Sequence, residues 1–218
     1  MYRIVVSNEL FTVLILLGLI FVALSKLLYT KRFSNFVFLP GNSKYLLIHT
    51  REQKFFDKFD ALLFLNLIIS LTLFLAICAR IYNTAFEFSI PIALKLMVAV
   101  SSFFLIKVLI ERLLGSLFEI DEIMNGYLFQ KTSYKNYFGL LLVPINALFI
   151  YTFTPDKFII ITVVAVFIVL STIGLLVSFK THQNTVKRNM FYFILYLCAL
   201  EIAPYIVLFK LLQLNGVI

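Results

Sequence analysis

The chain is 218 residues long, 62% hydrophobic and only 14% charged, with a mean hydropathy of +1.01. That balance excludes a soluble globular domain, which needs a larger charged fraction to cover its surface, and the continuous apolar runs exclude a transmembrane barrel with its ~10-residue alternating segments. The net charge of +8 reads as Lys and Arg in cytoplasmic loops, not as a nucleic-acid footprint, because no basic stretch is interleaved with a recognisable module.

The first apolar run, 10–28, is expected to be a retained span. A cleaved signal peptide has a basic start, a shorter apolar core and an Ala-x-Ala-like site, whereas this core ends in Ser25-Lys26. A long connection follows, carrying Lys31, Arg32, Lys44, Arg51, Lys54 and Lys58, with a turn signal at Leu39-Pro40-Gly41-Asn42. The second span is expected at 59–79 and the third at 92–110, the latter opened by Pro91, whose missing N–H is tolerated in a first helical turn.

Beyond the third span, Leu113, Leu117, Ile120 and Met124 recur at four, three and four residues. That spacing is one face of a helix. It predicts a cytoplasmic amphipathic arm over about 111–125, either packed on the chain's own helices or offered as a docking face to a partner. Within the third helix, Lys107 and Glu111 are four residues apart and read as an interfacial pair, with the lysine snorkelling to the headgroups.

Spans four and five are expected at 137–153 and 158–179, joined by a tight hairpin, and the sixth at 190–214. The expected fold is therefore all-α: a polytopic transmembrane helical bundle of about six spans, one integral membrane domain over residues 1–218. Tyr29, Tyr82, Tyr127, Tyr134, Tyr137 and Tyr151 lie near the ends of apolar runs, where interfacial anchors belong. Of the nineteen Lys and Arg residues, seven belong to the first connection and its flanks, four to the third and three to the fifth. Under the positive-inside rule this places those connections in the cytoplasm and both termini in the periplasm.

The sixth span carries an acid, Glu201, and a helix-disturbing Pro204 near its middle. A charge at that depth costs roughly 2.5–3.5 kcal/mol, so an intramembrane acid is a candidate site. Counting from Met190 places Glu201 roughly 17 Å into the bilayer, and counting from Tyr137 places Asn146 roughly 14 Å in. The two could share a polar pocket with the Leu200 carbonyl that Pro204 leaves without its helical partner. Lys95 could reach Glu201 only along the helix. The alternative is a structural acid, neutral or paired, that fixes helix packing.

Catalytic motifs are absent: there is no His-Glu-x-x-His, no Gly-x-Ser-x-Gly and no Walker loop, and the two histidines, His49 and His182, lie in connections. Glu119, Asp121 and Glu122 form an acidic cluster without the second such motif that a magnesium-dependent lipid enzyme would carry. Cys78 and Cys198 both lie in apolar runs and read as small buried side chains. No catalytic residue, metal ligand or cofactor is expected. The partners expected are the lipid bilayer and other membrane protein subunits, with no nucleic acid.

The stretch Tyr196-Leu197-Cys198-Ala199-Leu200-Glu201-Ile202-Ala203-Pro204, followed by Leu208-Phe209-Lys210, resembles a signature of an uncharacterised family of small polytopic inner-membrane proteins of Bacteroidota, a domain of unknown function. The family pattern has Leu where this chain has Ala203, with the spacing intact. The resemblance implies a Gram-negative inner membrane and brings no activity or ligand. Two functions are compatible with these features: a non-enzymatic subunit or assembly factor of an inner-membrane complex, serving protein export or envelope biogenesis, and a small proton-coupled transporter or channel using Glu201, Asn146 and Pro204.

Overall fold

A computed structural model describes residues 8–39, 45, 57–82, 86–117, 121–169 and 172. The described residues are helical and contain no strand. The helices are α1 (Glu9–Leu28), α2 (Thr30–Val37), α3 (Lys58–Tyr82), α4 (Ile90–Leu117), α5 (Asp121–Tyr151) and α6 (Lys157–Val169). Of these, α1, α3 up to Ile81, and α4 are long and apolar enough to cross a membrane. The sixth expected span, 190–214, lies outside the described residues, as does the C-terminal part of the fifth.

Local chemistry sets the helix ends. Thr12 returns its hydroxyl to the Asn8 carbonyl at 2.9 Å, and Glu9 and Lys26 sit in the first and last turns of α1, where they complement the helix dipole. Tyr29, at φ −133° and ψ 51°, breaks the helix, and α2 begins at once. Asp57 caps α3: its Oδ1 accepts the Phe59 N–H at 3.1 Å, the bond that an N-cap acid makes to the second helical amide. Pro91 falls in the first turn of α4, as expected.

The central helix is α3, which packs chiefly on α5 and α1. In a bilayer lipid tails are as apolar as leucine, so close van der Waals fit replaces hydrophobic exclusion as the source of helix association. Gly139 makes that fit possible: a Cβ there would lie 2.8 Å from the Leu67 Cα and 2.9 Å from its Cβ. Phe11, Leu14, Ile69, Leu73, Phe138 and Leu142 lead the apolar cluster around this contact.

Two ties fix the direction of the helices. At one end the Thr12 and Tyr151 hydroxyls are 2.5 Å apart. At the other, the Asn136 amide donates to the Asp60 carbonyl at 3.4 Å and Tyr29 meets Phe59 edge-on at 5.8 Å. The end of α1, the start of α3 and Asn136 therefore share one level. Residues 121–135 of α5 run beyond it by about 20 Å at 1.5 Å per residue. Lys135 lies over the Phe104 ring at 4.9 Å, so residues 105–117 of the antiparallel α4 extend as far. The α4–α5 pair is a helical hairpin that projects past the ends of α1 and α3, with Phe36, Leu39 and Tyr45 packed against Phe129 and Tyr134 of α5.

This differs from the expected single arm over 111–125. Leu117 and Met124 stand on different, antiparallel helices, so the four-three-four spacing does not continue from one to the other. Leu113 and Leu117 are exposed on α4, Met124 is 1% exposed on α5, and Ile120 lies outside the described residues. The fourth expected span, 137–153, is the C-terminal half of a helix that starts sixteen residues earlier. Its Pro144 lies inside the helix. Tyr127 and Tyr134, expected as interfacial anchors, are buried between helices.

Candidate functional site

The first half of α5 is built with two polar faces. Tyr127, Lys131 and Lys135 recur every four residues and point to α4. Phe129, Ser133, Asn136 and Leu140 recur at four, three and four on the opposite side and point to α2 and α3. The contacts follow that division.

Toward α4, Lys131 Nζ donates to Glu111 Oε1 at 2.6 Å, with side-chain exposures of 8% and 1%. Lys131 also donates to the Tyr127 hydroxyl at 3.2 Å, and Glu111 Oε2 is buried with no hydrogen-bond partner. Lys107 is buried too. The expected interfacial position of Lys107 and Glu111 is thus corrected: both are buried, and Glu111 pairs with Lys131 of α5.

Toward α2 and α3, Arg32 is the hub. Its guanidinium bonds Asp57 through one nitrogen and Asp60 Oδ2 at 2.9 Å through another, which is the forked geometry that suits arginine. It lies 4.6 Å from the Phe59 ring centroid, and its Nε donates to the Tyr45 hydroxyl at 3.4 Å. Burial, and then the charge of Asp60, push the Tyr45 hydroxyl above its ordinary range, so it stays protonated at neutral pH. Around these groups Phe36 meets Tyr45, Phe59 and Tyr137 edge-on at 5.5, 5.7 and 6.0 Å, and the Tyr45 ring stacks on Phe129 at 5.8 Å. Each such aromatic pair adds about 0.5–1.5 kcal/mol beyond burial. The aromatic cap keeps water from a layer in which Asp60 Oδ1, Ser133 Oγ and Asn136 Oδ1 are buried without a hydrogen-bond partner.

A third polar group lies halfway along α3. Asn146 is fully buried and donates to the Ser70 carbonyl at 2.8 Å. The Ser70 hydroxyl donates to Asn66 Oδ1 at 3.5 Å. A Cβ on Gly18 would lie 3.1 Å from that same oxygen. Asn146 Oδ1 and Asn66 Nδ2 are buried and without partners. Of the expected intramembrane site, Asn146 therefore sits against α3, Lys95 is exposed on α4, and Glu201 and Pro204 lie outside the described residues.

Arg32 appeared in the sequence only as one more cation of the first connection, and Asp57, Asp60, Asn66, Ser70, Ser133 and Asn136 drew no notice. Only the spacing of Ser133 and Asn136 with Phe129 and Leu140 could have flagged any of them.

Three membrane-length apolar helices around a buried polar layer define a helical membrane protein. The chain belongs to the family described as Domain of unknown function (DUF4271), which matches residues 11–212. No curated protein and no solved structure matches it.

Proposed function

We propose that the chain is a non-enzymatic subunit or assembly factor of an inner-membrane protein complex, crossing the membrane about six times with both termini in the periplasm. The observation that carries this reading is the outer face of the projecting hairpin. Leu109, Leu113 and Leu117 follow one another at four-residue spacing, and Leu113 and Leu117 are 61% and 68% exposed. They line an open groove with Arg112 and Ser116. A helix of 28 residues is about 42 Å long, more than the ~30 Å hydrocarbon core needs. The leucines stand at its far end, past the level of Asp60. A contiguous apolar patch outside the bilayer core marks an interaction surface.

The basic residues support the orientation. Arg32, Lys58, Lys107, Arg112, Lys131 and Lys135 gather at the end of the bundle that holds the first connection and the hairpin tip. The burial of Lys107, Lys131 and Lys135 does not weaken the argument, since the positive-inside bias counts residues near the span ends. The test is purification from native membranes in a mild detergent, with mass spectrometry of whatever accompanies the chain. A stoichiometric membrane partner is the expected result, and a chain that purifies alone would overturn the reading.

A second reading, a small proton-coupled transporter, draws on the unpartnered amide atoms of Asn66 and Asn146 at mid-depth. Polar groups at that depth are costly and mark ion or substrate paths. Proton flux in vesicles, lost on Glu201→Gln with the fold retained, would favour it.

A further inference from the structure

We propose that the layer between α2, α3 and α5 binds one small monovalent cation of the sodium class. The argument begins with the donor set. Asn136 donates its amide N–H to the Asp60 carbonyl, which holds its own oxygen against the first turn of α3. Asp60 gives Oδ2 to Arg32 and keeps Oδ1 free. Ser133, one turn before Asn136 on the same face, lies near the Tyr45 phenol without meeting hydrogen-bond geometry. Ser133 and Asn136 are both 0% exposed.

Three buried oxygens of three different kinds thus lie in one layer without a hydrogen bond. Leaving a buried polar group unmade costs about 1–3 kcal/mol, so three in one layer call for a ligand that accepts electron pairs. Hard cations take carboxylate, amide and hydroxyl oxygens. The charge count selects the valence. Asp57 and Asp60 face the single guanidinium of Arg32, which leaves one negative charge in the layer among the described residues. Lys131 and Lys135 lie on the opposite face of α5, and Lys58 is exposed. A monovalent ion closes that balance, whereas a divalent ion would leave a buried positive charge.

The ion would join α3 to α5 at the root of the projecting hairpin. It needs no partner protein, so its test is independent of the proposed function. The full chain, purified in detergent, is heated in NaCl, KCl or choline chloride at equal ionic strength. Sodium is expected to raise Tm saturably by about 5 °C at ten times its Kd. Asn136→Leu should abolish the sodium-specific rise, and Asn136→Asp, which keeps an oxygen there, should retain it. Should Asn136→Leu fail to fold, Ser133→Ala removes one ligand with little change in shape and should right-shift the sodium titration. Identical curves in the three salts, as an ordered water would give, overturn the proposal. So does a stabilisation seen with CaCl2 or MgCl2 and not with NaCl, or a sodium effect untouched by both Ser133→Ala and Asn136→Leu.

Discussion

Lys131 of α5 and Glu111 of α4 form an ion pair at 2.6 Å that is almost wholly closed to solvent. It joins the two arms of the projecting hairpin near the level where α1 ends and α3 begins. Breaking a buried pair from one side strands the other charge and costs about 3–5 kcal/mol, while replacing both partners by apolar residues is often neutral. Glu111→Gln and Lys131→Met are each expected to lower the denaturation midpoint markedly, and the double variant Glu111→Leu with Lys131→Met to recover most of the loss. A double-mutant cycle in detergent measures the difference.

Arg32 bridges Asp57 and Asp60 and stacks near Phe59. A lysine keeps the charge but not the fork. The acids are partly exposed, so screening reduces the value of each contact. Arg32→Lys should therefore cost about 1 kcal/mol, and Arg32→Met more, because Asp60 would keep a buried charge without its cation. Thermal unfolding of the two variants side by side gives the order.

Gly139 sits against the backbone of Leu67. A side chain there cannot be accommodated by a rotamer change, because the nearest atom is a Cα. Gly139→Ala should force α3 and α5 apart and cost about 1–3 kcal/mol, whereas the same change at Gly18, where the one close atom is the Asn66 side-chain oxygen at 3.1 Å and Ile69 and Val143 stand at ordinary contact distance, should cost less. Unfolding midpoints of the two alanine variants rank them.

Asn146→Leu removes the hydrogen bond to the Ser70 carbonyl. Such bonds inside membranes average about 0.6 kcal/mol, and the substitution also removes an unpartnered oxygen. A Tm change of only a degree or two is expected. A loss as large as that of Glu111→Gln would mean that Asn146 holds more of the bundle than its single bond implies.

The sequence made α1, α3 and α4 legible because their apolar runs are long and bounded by charge or Pro91. It hid the first half of α5. Gln130, Lys131, Ser133, Lys135 and Asn136 read as a polar loop by composition, yet each is buried. Their four-residue spacing outweighs their polarity, because both faces of α5 meet helices that carry complementary groups. The α2 segment TKRFSNFV is too polar and short to stand out, and its helix is held by Phe36 in the aromatic cap. The pairing of Arg32 with Asp57 and Asp60, 25 and 28 residues on, is a tertiary fact that no local pattern contains. The leucine spacing at the end of α4 was visible, but its continuation to Met124 was accidental, since Met124 belongs to the antiparallel α5.

The central claim is that the exposed leucines of α4 dock a membrane partner. Wild type and the double variant Leu113→Glu, Leu117→Glu should be purified in parallel from native membranes, with Tm recorded for both. The account predicts a stoichiometric partner with wild type, its loss from the variant and an unchanged Tm. A wild-type chain that purifies alone, or a partner that stays with the variant, would contradict it.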